Sequence, residues 1–415
     1  MNSRIELLAP AGDPEKLKIA VEYGADAVYF GGEDFSLRSQ SDNFTDNDIR
    51  ECVDYCHERG RKCYLTLNIY AHNSDIQPMK DYLERIKDIP IDAFLVSDPG
   101  VLTVLKAVIP SAHVHLSTQA NMTNYMAAEF WKNEGVERLV LARELSLDEI
   151  RDIHEKVDIE LEAFVHGAMC ISYSGRCLLS NFMSGRDANK GLCSHPCRWN
   201  YALMEEKRPG EYFPVEEDGR GTYFMNSHDL CMIEHLPDLI ESGLSSLKIE
   251  GRMKSVYYVA ATVRAYRLAI DAYYKDPEKW TPDRKLLDEV GKVSHRKFTT
   301  GFFYGNPGAS AQNYSSSNYI KEYSFTGKVI SYDEKTGLAL VEQRNKMTAG
   351  ETIEIFGPGD RAFSQVLSDM YDAETGERID SCPHAQQMIR IRIEEPVGEN
   401  YLIRKRITEE NKESE

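Results

Sequence analysis

Residues 5–32 read IELLAPAGDPEKLKIAVEYGADAVYFGG. A strand-like run, Ile5–Leu8, ends at a turn that contains proline and glycine. Asp13 can then cap a helix that has Pro14 at its first position. A second strand-like run, Ala27–Phe30, follows this helix and ends in two glycines. The stretch therefore predicts one complete βα unit and the strand of the next unit.

The same pattern recurs along the first 165 residues. Helices separate further predicted strands at Cys63–Leu67, Ala93–Val96, His113–Leu116, Arg138–Leu141 and Leu161–Val165. Seven strands at roughly 20 to 35 residues per repeat indicate parallel βα units. With Ser246–Ile249 as the eighth strand and Val256–Tyr273 as its helix, the sequence predicts a (β/α)8, TIM-like barrel. An open doubly wound sheet is the alternative, but no GxGxxG motif follows the first strand.

Polar residues end nearly every predicted barrel strand. They are Asn68, Asp98, Gln119, Asn121, Arg143, Glu144, His166 and Glu250. Because the carboxyl ends of the strands form the active-site face of such barrels, these side chains predict a binding site at the mouth. The alternative is that polar residues end strands simply because the chain turns there.

A second stretch, residues 162–201, reads EAFVHGAMCISYSGRCLLSNFMSGRDANKGLCSHPCRWNY. It forms the start of an insertion at about residues 166–245, after strand seven, in which Asp229–Glu241 is also predicted to be a helix. Its four cysteines are Cys170, Cys177, Cys193 and Cys197. The stretch has little apolar periodicity, so a metal centre held by four thiolates would order it. The irregular spacing favours an iron–sulfur cluster over zinc or over buried or redox-active thiols.

The whole-chain numbers exclude several protein classes. Among 415 residues there are nine cysteines, an odd number that argues against a disulfide framework. The N-terminus does not have the pattern of a signal peptide, and no apolar run approaches the roughly 20 residues that span a bilayer. We therefore expect a cytoplasmic protein that does not enter a membrane. The net charge of −18 counts against a broad grip on nucleic acid, although not against a local basic groove.

The segment KIEGRMK, at the end of strand eight, is one candidate for such a groove. Lys248, Glu250, Arg252 and Lys254 would place a carboxylate beside three cations, and Arg143 across the mouth would complete a clamp for an anionic substrate. A structural Glu–Arg pair is the alternative. His166 is a candidate general acid or base, or else a residue that only orients the loop by hydrogen bonding.

From about residue 318 the pattern changes to short strands separated by turns. The predicted strands are Phe325–Ile330, Leu338–Glu342, Thr352–Phe356, Met388–Ile393 and Tyr401–Arg404. We therefore expect a barrel domain at residues 1–275, a linker at 276–317, a small all-β barrel domain at 318–406 and a disordered tail at 407–415.

Several blocks of the chain resemble one known family. EAFVHGAMCISYSGRCLLS resembles the signature of peptidase family U32, the collagenase-like family. The blocks ELLAPAGDPEKLKIAVEYGADAVYFGG, SLKIEGRMKSVYYVA and RNKMTAGETIEIFGPG also resemble it, the last in a C-terminal domain similar to a translation-factor barrel. The family name implies a protease, a hydrolase. No Gly-x-Ser-x-Gly elbow or His-Glu-x-x-His helix supports that activity mechanically.

With all four cysteines and the C-terminal domain, the chain resembles the tRNA-hydroxylating branch of this family. That resemblance implies conversion of the wobble uridine of tRNA to 5-hydroxyuridine, with prephenate rather than molecular oxygen in the reaction. It also implies a cluster, 4Fe-4S in type, on Cys170, Cys177, Cys193 and Cys197.

The remaining predicted roles are inferred from the residue chemistry and are compatible with this resemblance. Prephenate is a small dicarboxylate that Arg143, Lys248, Arg252 and Lys254 could hold, with His166, Glu250 and Tyr173 as catalytic candidates for proton handling. The aromatic and basic segment at residues 295–303, with the C-terminal domain, could take tRNA. The acidic net charge would be compatible with a partner protein, a homo-oligomer or a confined groove. The other hypotheses are a peptidase and a non-enzymatic, cluster-bearing scaffold that binds RNA.

Overall fold

A computed structural model describes most of the chain. The described residues are 4–33, 35–36, 44–170, 173–174, 176–186, 188, 192–194, 196, 203–204, 212–213, 217–218, 221–222, 228–307 and 319–408.

The strands of the first 300 residues follow one another in a regular order. They are β1 (Glu6–Pro10), β2 (Ala27–Gly31), β3 (Lys62–Leu67), β4 (Ala93–Val96), β5 (Val114–Leu116), β6 (Arg138–Val140), β7 (Glu160–Ala168), β8 (Leu203–Met204), β9 (Tyr212–Phe213), β10 (Glu217–Asp218), β11 (Gly221–Thr222), β12 (Asp229–Cys231), β13 (Ser246–Ile249) and β14 (Phe298–Thr299). The helices among them are α1 (Pro14–Glu22), α2 (Asp46–His57), α3 (Asn73–Ile86), α4 (Pro99–Val108), α5 (Tyr125–Asn133), α6 (Leu147–Lys156), α7 (Leu179–Ser184), α8 (Leu236–Glu241), α9 (Val256–Lys275) and α10 (Arg284–Gly291).

Eight parallel strands close into a barrel. Strand β13 pairs with β1 on one side and with β7 on the other, and β1 to β7 pair in sequence order. The predicted TIM-like barrel, with Ser246–Ile249 as its eighth strand, is confirmed. Strand β12 pairs with the C-terminal end of β7, at residues 166–168, in the antiparallel direction. Strand β14 pairs with β12 in the parallel direction.

One predicted element is wrong. The sequence predicted a helix over Asp229–Glu241, whereas Asp229–Cys231 is strand β12 and the α-helix is limited to Leu236–Glu241. A short apolar run has too few residues to distinguish a buried strand from a helix by periodicity. Pairing of Leu230 with Gly167 on β7 decides the outcome.

The helix starts follow from local capping chemistry. At the start of α1, the Asp13 side chain accepts a hydrogen bond from the backbone N–H of Lys16. At the start of α4, the Asp98 side chain accepts one from the backbone N–H of Val101. Ser146 and Glu149 form a reciprocal capping box at the start of α6. These caps fix where each helix leaves its strand, and so fix the rim of the barrel mouth.

The C-terminal unit is all-β, as predicted. Its strands are β15 (Tyr323–Asp333), β16 (Leu338–Gln343), β17 (Met347–Thr348), β18 (Thr352–Phe356), β19 (Ala362–Val366), β20 (Met370–Asp372), β21 (Ser381–Cys382), β22 (Met388–Arg392) and β23 (Leu402–Arg406). Seven of them form an antiparallel sheet in the order β19-β18-β23-β15-β16-β22-β20, and β17 pairs with β21. The segment expected to be a linker contains α10 and β14. From residue 409, the expected tail lies outside the described residues.

Helix α9 lies between the barrel and the C-terminal sheet. It is buried on nearly all sides from Val256 to Ile270 because both units pack on it. The ring of Tyr257 stacks on Phe325, with centroids 5.7 Å apart. No helix in the described part of the chain has the length and apolar character needed to cross a membrane.

A group of buried and half-buried charges, which we call the junction cluster, joins the two units. It consists of Arg264, Glu289, Lys292, Glu354 and Arg404. Both Nη atoms of Arg404 bind the Glu289 carboxylate, at 2.8 and 2.7 Å. Nη2 also donates to Glu354 at 2.7 Å. Arginine and the two carboxylates together fix the C-terminal sheet on the barrel.

Candidate active site at the barrel mouth

A cavity opens at the carboxyl ends of the barrel strands. It is lined by Tyr29, Thr66, Asn68, Leu95, Ser117, Thr118, Gln119, Val140, Arg143, Phe164, Lys248, Glu250 and Arg252. Its volume is about 50 Å³, whereas a cavity of roughly 150 Å³ is known to hold a benzene ring. The deep part therefore accepts a small group such as a carboxylate, and the rest of a larger substrate would lie above it.

The floor of the cavity contains a buried ion pair. The Nζ of Lys248 donates to the Glu162 carboxylate at 2.7 Å, and both side chains are almost fully buried. Glu162 also accepts from Arg138 at 3.2 Å. Burial lowers the pKa of Lys248 from its ordinary value, and the Glu162 charge opposes that shift. The Nζ lies 4.3 Å from the ring centroid of Tyr29.

Two guanidinium groups stand on either side of this floor. Nη1 of Arg252 donates to the hydroxyls of Ser36 at 2.7 Å and Thr66 at 3.0 Å. A side chain in place of Gly12, in the turn after β1, would collide with the carbonyl of Arg252. The hydroxyl contacts hold the Arg252 side chain, and the close approach of the turn requires a glycine.

Arg143 has a different environment from Arg252. Its Nη1 donates to the carbonyl of Ala168 at 2.6 Å, and its guanidinium lies 4.0 Å from the ring centroid of Phe164. Its Nε is buried and has no hydrogen-bond partner among the described residues. A buried donor without a partner costs free energy, so an acceptor on a bound molecule would be stabilised here.

The amides at the mouth form one network, as their strand-end positions predicted. Nδ2 of Asn68 donates to Ser117 Oγ at 3.3 Å and to Gln119 Oε1 at 3.1 Å. The hydroxyl of Tyr70 donates to the Gln119 carbonyl at 2.9 Å. Asp98, also predicted at the mouth, instead caps α4.

His166 does not lie in the cavity, which corrects the predicted location. A β-bulge lies between β7 and β13, so that Phe164 pairs with Lys248 but His166 pairs with Ile249. The extra residue reverses which side of the barrel the next side chain faces. His166 is buried among the rings of Tyr258, Tyr266 and Phe298, and burial lowers its pKa to about 3. It is neutral at physiological pH and does not reach the mouth as an acid or base.

Two further predicted site residues also lie outside the cavity lining. The Nζ of Lys254 is 4.4 Å from the ring centroid of Tyr319 and 5.3 Å from that of Tyr258. Tyr173 is 45% exposed on the cysteine segment. Among the seven predicted catalytic and substrate-binding residues, the structure brings together Arg143, Lys248, Glu250 and Arg252.

The cysteines fall into two groups by exposure. Cys170 is exposed and Cys177 and Cys193 are half-buried, whereas Cys52, Cys56, Cys63, Cys231 and Cys382 are buried. Burial raises the pKa of Cys231 to about 12, so this thiol is inert. Cys197 lies outside the described residues. Within the described residues, no three His, Cys, Asp or Glu side chains are grouped as a metal site, and the ligand set stays a prediction.

The described part of the cysteine segment contacts the rim of the mouth. Nδ2 of Asn121 donates to the carbonyl of Ser174 at 3.2 Å. The guanidinium of Arg176 lies 5.4 Å from the ring centroid of Tyr70. The hydroxyl of Ser180, on α7, accepts from the backbone N–H of Ser194 at 3.0 Å, which ties the neighbour of Cys193 to the helix that follows Cys177. The segment is thus anchored beside the cavity.

The aromatic and basic segment at residues 295–303 is mostly packed inside the protein. Arg296 is buried, and its backbone N–H donates to the Asp229 carboxylate at 3.0 Å. The His295 ring stacks on Phe298, with centroids 4.5 Å apart, and Phe303 is buried. Only Lys297 is exposed in this segment. The prediction that these rings form a stacking surface for RNA is therefore corrected, because they pack against the protein.

Sequence reasoning missed several lining residues. Tyr29 and Phe164 lie inside strands β2 and β7, and strict alternation from Glu162 would have placed Phe164 toward the interior. Thr66 lies inside the predicted strand Cys63–Leu67 and had no distinguishing pattern. Ser36, which binds Arg252, comes from a loop, and no signal in the sequence connects it to a strand that it reaches only in three dimensions.

Comparison with known proteins gives consistent matches over most of the chain. The family described as "Peptidase family U32" matches residues 12–313, and "Peptidase family U32 C-terminal domain" matches residues 321–404. A Bacillus subtilis protein named "tRNA hydroxylation protein P1" is 44% identical over 96% of this chain and 94% of its own length. An Escherichia coli "tRNA hydroxylation protein P" is 35% identical over 96% of both chains. A Porphyromonas gingivalis protein named "Collagenase" is 31% identical over 90% of this chain and 92% of its own.

Proposed function

This chain belongs to peptidase family U32, and we propose that it is an enzyme that hydroxylates RNA. Its substrate is tRNA, in which the wobble uridine is converted to 5-hydroxyuridine. The observation that carries the proposal is the end-to-end similarity to a tRNA hydroxylation protein, at 44% identity over 96% of the chain. The cationic, amide-lined cavity at the barrel mouth is a site where such chemistry can take place.

The reaction sets requirements that the cavity can meet. Replacement of C5–H by C5–OH is a two-electron oxidation of the uracil ring, and a donor must supply the oxygen atom. We propose prephenate, a dicarboxylate, in this role: the C–O bond of its ring hydroxyl would break, and the ring carbon would take up the two electrons and a proton in place of the oxygen. Arg143 and Arg252 would hold one carboxylate, since guanidinium groups bind carboxylates with two parallel hydrogen bonds. The small deep cavity would take that carboxylate and leave the ring above it.

Glu250 is the proposed proton-handling residue. It lines the cavity, whereas His166 and Tyr173 do not. A carboxylate at this position can accept the proton that leaves the uracil ring, provided that it comes within hydrogen-bond reach of that proton. Asn68 and Gln119, on the opposite wall, offer the donors and acceptors that orient a uracil edge.

The proposed cofactor is a 4Fe-4S cluster on Cys170, Cys177, Cys193 and Cys197. Such a cluster supplies one-electron transfer when bound. The donor set fits this group, because the three described cysteines of the segment are accessible thiols while the five outside it are buried. The contacts of the segment with Asn121 and Tyr70 would keep the cluster beside the mouth.

The peptidase alternative has less support in the geometry. The hydroxyl of Ser117 lies among Asn68 and Gln119, and no histidine is among the thirteen residues that line the cavity. A serine or cysteine peptidase needs a nucleophile within hydrogen-bond reach of a base.

The test uses a bacterial strain from which its own relatives of this family have been removed. The strain is complemented with the wild-type chain or with a Cys170→Ser, Cys177→Ser variant. Mass spectrometry of tRNA nucleosides should find 5-hydroxyuridine with the wild type and not with the variant. A Cys231→Ser variant is the matched control and should retain the modification. Absence of 5-hydroxyuridine with well-expressed wild-type protein would contradict the proposal.

A further inference from the structure

The Lys248 amine at the cavity floor is poorly suited to be a plain anion receptor. Its charge is already matched by the Glu162 carboxylate at 2.7 Å. Arg143 and Arg252 line the same cavity and are better shaped for a carboxylate. A lysine buried with a carboxylate beside it has a second chemical use, as a nucleophile.

The burial of Lys248 makes the loss of a proton from its amine easier, while the ion pair with Glu162 opposes that loss. Burial disfavours the ammonium form, so that the pKa of Lys248 is lowered. Glu162 is within hydrogen-bond distance and can accept the proton that the ammonium must lose. Among the thirteen residues that line the cavity, Lys248 alone carries a primary amine.

A second group in the cavity indicates which carbonyl compound would fit. The Phe164 ring has the Arg143 guanidinium 4.0 Å and the Lys248 amine 5.4 Å from its centroid. The buried Nε of Arg143 has no partner among the described residues. A molecule whose carboxylate binds Arg143 would lie in the same cavity as the Lys248 amine, and the carbonyl group that the amine attacks would be adjacent to that carboxylate. That arrangement of groups is a 2-oxo acid.

We propose that Lys248 forms an imine with the carbonyl group of a small 2-oxo acid. The Nζ lone pair attacks the carbonyl carbon and forms a C–N bond. The carbonyl oxygen becomes the hydroxyl of a carbinolamine and leaves as water when its C–O bond breaks. Glu162 takes a proton from the ammonium before attack and returns one to the departing hydroxyl. No atom is oxidised or reduced.

This inference deepens the proposed function, and it rests on that function only in placing the chemistry in the same cavity. It assigns a substrate class to the cavity, an acid with a carbonyl group beside its carboxylate. It also gives Lys248 and Glu162 distinct roles, as nucleophile and as proton carrier.

The test traps the imine in the purified full-length protein without RNA. Pyruvate is added as the probe with sodium cyanoborohydride, which reduces an imine to a stable amine. Intact-mass measurement and peptide mapping should find one adduct on Lys248. Lactate, which has no carbonyl group, should give none. Lys248→Arg keeps the charge that faces Glu162 and should lose the adduct, and Glu162→Gln should slow its formation.

Several outcomes would overturn the inference. They are no adduct at Lys248 in the wild type, equal labelling of surface lysines, or labelling by acetone as fast as by pyruvate. Peptide mapping of the wild-type protein decides the question by itself. The test therefore remains valid if one of the variants fails to fold. Trapping is independent of RNA, so an adduct without RNA hydroxylation would leave this inference standing and reject the proposed function. RNA hydroxylation without an adduct would reject this inference and leave the proposed function standing.

Discussion

The cavity floor and the junction cluster are built from the same kinds of residue. Lys248 and Glu162 are paired at 2.7 Å in the first, and Arg404 and Glu289 at 2.7 Å in the second. All four side chains are at most 8% exposed. The cavity pair lies beside open space that guanidinium and amide groups also line, whereas the junction pair fills the contact between two packed units. A buried ion pair thus marks a candidate site only where space remains for a ligand.

The largest effect is expected from Arg404→Met. Removing one partner of a buried ion pair leaves the other charge uncompensated, which costs about 3–5 kcal/mol. The free energy of unfolding should fall by about that amount in urea titrations, while the hydroxylation rate per folded molecule stays close to that of the wild type. Lys279→Met removes a pair that is 85% exposed at the lysine and should cost less than about 1 kcal/mol. Equal losses in the two variants would contradict a structural role for the junction cluster.

Arg252→Gln tests the role of the cavity in binding the substrate. Loss of charge-assisted hydrogen bonds to a bound anion should cost about 1.5–3 kcal/mol, which corresponds to a fall of roughly ten- to a hundredfold in kcat/KM. The initial rate of 5-hydroxyuridine formation in cell extracts, at several concentrations of added prephenate, measures it. A drop in stability with an unchanged rate would instead make Arg252 a second structural residue.

His166→Phe should change the pH dependence of stability. The folded pKa of His166 is lowered from 6.5 to about 3 by burial, so below pH 6.5 the unfolded chain binds a proton that the folded chain does not. The folded protein is therefore destabilised as pH falls from 6.5 toward 3, by about 2 kcal/mol at pH 5. The variant should lose this penalty when unfolding is compared at pH 8 and pH 5. Identical pH dependences would contradict a neutral, buried His166.

The smallest effect is expected from Lys254→Met. Its amine lies over the rings of Tyr319 and Tyr258, outside the cavity. Loss of such contacts costs about 0.5–1 kcal/mol of stability, and the hydroxylation rate should stay within about twofold of the wild type. A rate loss as large as that of Arg252→Gln would show that Lys254 binds the substrate, as its place in KIEGRMK first indicated.

The barrel could be predicted from the sequence because its signals are local. Capping residues such as Asp13 and short apolar runs such as Ala27–Phe30 recur in most of the βα units. The mouth could be predicted too, since Asn68, Gln119, Arg143 and Glu250 end strands, and parallel strands end on one face. These inferences need only chain order and the rules of parallel sheets.

What could not be predicted depends on contacts between distant parts of the chain. The bulge that turns His166 away from the mouth arises from pairing of β7 with β13 and has no local signature. In the sequence, Arg296 and Phe298 belong to a segment that looks like an exposed basic and aromatic surface. In the structure, Arg296 contacts Asp229 on β12 and Phe298 contacts His166. The junction cluster joins residues more than 100 positions apart, such as Glu289 and Arg404.

The most direct test of the account is the 5-hydroxyuridine content of tRNA in the complemented strain that lacks its own relatives. Wild-type protein, Lys254→Met and Arg252→Gln are expressed to equal levels, and nucleosides are quantified by mass spectrometry. We predict that the first two restore the modified nucleoside and that Arg252→Gln restores little of it. Full restoration by Arg252→Gln, or none by the wild type, would contradict the claim that the barrel mouth hydroxylates tRNA.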